Sequence, residues 1–88
     1  MPESVQAVGR ILVVDDQPAN LRVVSTLLAR NGFEVASALT GAEALEQAVA
    51  TIPDLVLLDM LMPGMDGFEL LAQIRRHPQL QDTPVIFL

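Results

Sequence analysis

Short apolar runs punctuate the chain, and between them apolar residues recur at helical spacing. ILVV at 11–14 is continuous, partly β-branched, and ends on Asp15-Asp16. Such a run reads as a strand buried on both faces, as in a parallel sheet. Pro18 stands where a first helical turn tolerates proline. Leu21, Val24 and Leu28 then keep helical spacing, with Val23 and Leu27 widening the stripe, and Asn31-Gly32 supplies a stop. FEVASA at 33–38 is a second, weaker strand. Thr40 and Glu43 form a capping box ahead of Leu45, Ala48, Val49 and Ile52, and Pro53 ends that helix. LVLLD at 55–59 is the third strand, ending on Asp59. Asp66 and Glu69 open a third helix in the same way. Phe68, Leu71 and Ile74 line one side of it, and His77-Pro78 closes it. PVIFL at 84–88 is the fourth apolar run.

The order β-α-β-α-β-α-β predicts an α/β domain, a doubly wound parallel sheet with helices on both faces. A length of 88 residues allows one domain, over 10–88, behind a flexible tail at 1–9. The chain is 51% hydrophobic, and its mean hydropathy is +0.43. That is rich for a small domain. It implies either a dense core or apolar surface that lacks cover.

Charge narrows the partners. The net charge is −6, the five basic residues are all arginine, and there is no lysine. This balance argues against direct nucleic-acid binding and against an acidic membrane surface. Cations and basic partner patches suit it better. Without cysteine there is no disulfide frame and no thiolate chemistry. MPESVQAVGR lacks a signal-peptide core, and no apolar run approaches the roughly 20 residues of a membrane span. A cytoplasmic protein is expected.

Chemistry concentrates where strands end. In parallel α/β sheets, ligands bind beyond the carboxyl ends of the strands, where strand order reverses. The first strand ends in Asp15-Asp16 and the third in Asp59. If those strands are neighbours, three carboxylates converge and repel. A divalent cation offsets the repulsion, and all-oxygen ligation selects magnesium, manganese or calcium. Magnesium takes one or two carboxylates plus a phosphate, which leaves an aspartate able to form an acyl phosphate. Taken singly, each acid is as well explained as a turn or helix-capping residue.

ILVVDD followed by LVLLDMLMPGMDG resembles the receiver domain of bacterial two-component response regulators. The resemblance runs from Ile11 to Leu88 and spans roughly the first two-thirds of a receiver. It implies a flavodoxin-like sheet, incomplete, with strand order 2-1-3-4. It implies that Asp59 is the phosphoacceptor. Asp16 is then the direct metal ligand, Asp15 a ligand acting partly through water, and the backbone carbonyl of Leu61 the last protein ligand. The cofactor implied is Mg2+, with Mn2+ or Ca2+ as substitutes. Pro63-Gly64 and Asp66-Gly67 would shape the loop over the site. A sensor histidine kinase would donate the phosphoryl group, and an output domain or partner protein outside these residues would read it. The family's serine or threonine after the fourth strand and its lysine after the fifth are not among these residues.

That departure keeps a second function open. A truncated receiver could act as a phosphorylation-independent interaction or self-association module, joining copies through the exposed apolar fourth strand. A third reading is a magnesium-dependent phosphatase with an aspartyl nucleophile. It ranks last, because adjacent Asp15-Asp16 lacks that class's Asp-x-Asp spacing. The domain is otherwise expected to be no enzyme beyond its own phosphorylation and dephosphorylation. Met60, Met62 and Met65 read as loop packing, Phe33 and Phe68 as core, and His77 as a surface helix end. Arg75-Arg76 reads as a cationic helix C-terminus.

Overall fold

The computed structural model describes residues 8–60, 62, 64 and 66–88. Seven of the expected tail residues, 1–7, lie outside it, as do Leu61, Pro63 and Met65. The elements follow the expected order: β1 (Arg10–Val14), α1 (Pro18–Arg30), β2 (Glu34–Ala38), α2 (Gly41–Thr51), β3 (Leu55–Leu58), α3 (Gly67–Arg75) and β4 (Val85–Phe87). The strands form one parallel sheet in the order β2-β1-β3-β4. β1 and β3 are therefore neighbours, with Val14 level with Leu58. A short 3-10 turn, Pro78–Leu80, stands between α3 and β4 and was not foreseen. Its Leu80 is fully buried, and Arg75 Nη1 donates to the Leu80 carbonyl at 2.8 Å.

Side chains alternate across the strands and build two cores. Leu12, Val14, Val56 and Leu58 point to the face covered by α2 and α3, where they meet Ala44, Ala48, Leu70 and Ile74. Met62 joins this core, in keeping with loop packing. Ile11 and Val13 point to the other face, where α1 supplies Leu21 with Val24 and Leu28 beside it. Phe33 packs there too.

The helix ends explain themselves locally. Thr40 Oγ1 accepts from the Glu43 N–H at 3.1 Å. Glu43 Oε1 accepts in turn from the Leu39 N–H at 2.9 Å, one residue outside the cap. Asp66 Oδ1 accepts from the Phe68 and Glu69 amides at 2.9 and 3.3 Å. α1 stops at Asn31-Gly32, where Gly32 takes φ +90°. α2 stops at Ile52, which takes φ 47° ahead of Pro53. Positive φ strains a β-branched side chain, and Pro53 keeps Ile52 out of the right-handed helical region.

Three stripe assignments are corrected. Val23 and Leu27 are 67% and 60% exposed, so they lie on the outer face of α1. Phe68 is 64% exposed, because α3 turns Gly67, Leu70 and Ile74 inward and Phe68 lies one step round from that row. On α2 the buried row is Ala44 and Ala48, while Val49 and Ile52 reach the surface.

Candidate functional site

Two backbone bonds set the site. The Asp59 N–H donates to the Val14 carbonyl at 3.0 Å, which locks the tip of β3 to the tip of β1. The Asp15 N–H donates to the Ala38 carbonyl at 3.1 Å and carries the β1–β2 pairing one residue further. The sheet ladder thus fixes the backbone of Asp59 and of Asp15.

Asp15, Asp16 and Asp59 each offer one carboxylate oxygen, and these oxygens lie within 4.8 Å of one another. All three residues are half-buried. Asp15 Oδ1 accepts from the Gln17 N–H at 2.9 Å, so a tight turn holds this carboxylate at the head of α1. The unpaired amides of a helix N-terminus favour negative charge there. The arginine of the ion pair Arg10–Glu34, 3.2 Å, begins β1 and so lies at the opposite end of that strand.

The loop beyond Asp59 folds back tightly. A Cβ built at Gly67 would lie 2.7 Å from Met60 Sδ and 3.5 Å from Leu58 and Phe87 carbons. A side chain at position 67 would have to push the Met60 thioether aside, so glycine suits the close approach of α3 to the tip of β3. The Asp66-Gly67 pair carried that signal in the sequence, whereas nothing there marked Met60 as its contact. The Met60 N–H reaches the Leu88 carbonyl at 3.4 Å, and the Leu88 N–H donates to the Leu58 carbonyl at 2.9 Å. The end of β4 therefore borders the same site. Leu61, the expected carbonyl ligand, lies outside the described residues.

The structure brings together the three acids that the spacing singled out, and their donors are all hard oxygens, the set that suits magnesium. Residues 11–88 match the response regulator receiver domain family. The chain belongs to that family.

This receiver domain is 42% identical to the response regulator PleD of Caulobacter vibrioides over 80 residues, 91% of the chain and 18% of PleD. The chain thus spans under a fifth of that relative's length. Among solved structures, the N-terminal domain of a response regulator receiver protein from Methanoculleus marisnigri superposes with a TM-score of 0.84 at 46% identity. That match covers 92% of this chain and 66% of the other. The chemotaxis response regulator CheY4 of Vibrio cholerae gives a TM-score of 0.84 at 35% identity, covering 93% and 67%. Among the described residues, no helix is long and apolar enough to cross a membrane.

Proposed function

We propose that this receiver domain accepts a phosphoryl group on Asp59 from the phosphohistidine of a sensor histidine kinase. The supporting observation is the meeting of Asp15, Asp16 and Asp59 oxygens within 4.8 Å at the tips of adjacent strands. A carboxylate oxygen of Asp59 attacks phosphorus, an acyl phosphate bond forms, and the P–N bond to the donor imidazole breaks. The leaving nitrogen keeps the bonding pair and takes a proton. Hydrolysis of the acyl phosphate returns the aspartate. Asp15 and Asp16, with Asp59 and the Leu61 carbonyl, would hold Mg2+. When bound, that ion neutralises charge shared by the carboxylates and the incoming phosphoryl oxygens. The chain's own contribution is rigidity, because the β1–β3 ladder fixes the nucleophile. An output domain or partner protein would read the phosphorylated state, in the cytoplasm.

Incubation with magnesium and a small phosphodonor, followed by intact mass measurement, tests this. One added phosphoryl group per chain is expected, absent in Asp59→Asn and absent when the metal is chelated. An unchanged mass overturns the reading. Continued phosphate release from many substrate molecules would point to a phosphatase instead.

A further inference from the structure

α2 begins with a cap that is one residue out of step. In the usual capping box, the glutamate at N3 reaches back to the N–H of the cap residue itself. Here Glu43 Oε1 passes Thr40 by and accepts from the Leu39 N–H at 2.9 Å. The forward half of the box is regular, with Thr40 Oγ1 accepting from the Glu43 N–H at 3.1 Å. The box therefore closes on a peptide that belongs to the exit from β2 and not to the helix.

That peptide is held at both ends. Its N–H is that of Leu39, and its C=O is that of Ala38, which accepts from the Asp15 N–H at 3.1 Å. A peptide unit is planar and trans, so its N–H and C=O point opposite ways and turn together. Holding the Leu39 N–H in one direction aims the Ala38 oxygen at Asp15. A charged acceptor on the N–H also polarises the peptide and strengthens its carbonyl as an acceptor. Val14 and Ala38 are the last pair of the β1–β2 register, so Asp15 lies one step past the end of that ladder. Beyond Ala38, β2 gives way to the two-residue link Leu39-Thr40 that leads into α2. The carboxylate of Asp15 is fixed separately, by the Gln17 N–H at 2.9 Å.

We propose that Glu43 is a positioning residue for the divalent-cation site, acting through the Ala38–Leu39 peptide on the backbone of Asp15. The inference rests on the metal reading above. Glu43 is not one of the three acids whose oxygens meet at the strand tips. What it supplies is direction. It keeps Asp15 against the exit of β2, where one of its carboxylate oxygens comes within 4.8 Å of those of Asp16 and Asp59.

Two measurements on the whole chain test it: hydrogen exchange at the Asp15 amide without metal, and calorimetric titration with magnesium. Glu43→Ala should speed exchange of the Asp15 amide by roughly tenfold. It should weaken magnesium binding by roughly tenfold too, as loss of a group behind a metal ligand does. Glu43→Gln should bring both back to within about twofold of the parent, because its amide oxygen still accepts from the Leu39 N–H. A glutamine that fails as alanine does would mean that Glu43 acts by its charge, and overturns the proposal. Ala50→Gly, at an exposed position of α2, loosens the helix without touching that peptide and should leave both readouts unchanged. Circular dichroism confirms that each variant is folded. If Glu43→Ala behaves like the parent, or if Ala50→Gly behaves like Glu43→Ala, the proposal falls. A faster Asp15 amide with unchanged magnesium affinity leaves Glu43 a helix cap and removes its role at the site. A parent that binds no magnesium overturns the metal reading instead, and the Asp15 amide still decides whether Glu43 holds it.

Discussion

The two faces of the sheet are built from the same strands and end very differently. Under α2 and α3, eleven side chains are buried among the described residues, from Leu12 and Val14 across to Leu80. Under α1, three are buried among the described residues, Ile11, Val13 and Leu21. α1 lies over β1 and β2, so Leu55 and Leu57 are left half-buried and Ile86 half-exposed. The strand sequences are apolar on both sides, yet among the described residues helical cover is fuller under α2 and α3 than under α1. Burial is thus a property of what crosses the strand, not of the strand itself.

Substitutions sharpen that contrast. Leu12→Ala, on the closed face, should lose about 3 kcal/mol of unfolding free energy in denaturant titration, as fully buried leucines do. Leu57→Ala, on the open face, should lose about 1 kcal/mol, because less area leaves water. Equal losses would erase the distinction between the faces. Asp16→Asn without metal should raise stability by roughly 1 kcal/mol, since it removes like-charge repulsion at the strand tips. A fall would show that Asp16 is held by contacts stronger than the repulsion. Val23→Ser, on the outer side of α1, should stay within about 0.5 kcal/mol of the parent. A larger loss would mean that this side is covered.

Much of this was legible in the chain. The strands and helices, their order, and the caps at Thr40 and Asp66 follow from local pattern, because the backbone decides them within a few residues. The acids were legible as residues, but their meeting needed the β1–β3 neighbourhood, which came from a family resemblance and not from spacing. Phe68 was misread because a single exposed aromatic mimics the start of an apolar stripe, whereas the helix turns on the row Gly67, Leu70 and Ile74 that it buries. The turn Pro78–Leu80 was hidden for a similar reason: Leu80 is one apolar residue in a polar stretch, and its burial depends on the distant β3–β4 core. Half-cover of the α1 face was hinted at by the high hydrophobic fraction, though composition cannot say where the uncovered surface lies.

The central claim is that strand tips gather Asp15, Asp16 and Asp59 into one divalent-cation site. Calorimetric titration of the chain with magnesium measures it most directly. The account predicts one ion bound per chain, with affinity falling at least tenfold, about 1.4 kcal/mol, in Asp16→Asn and in Asp59→Asn. Magnesium that binds both variants as tightly as the parent, or that does not bind the parent at all, would contradict it.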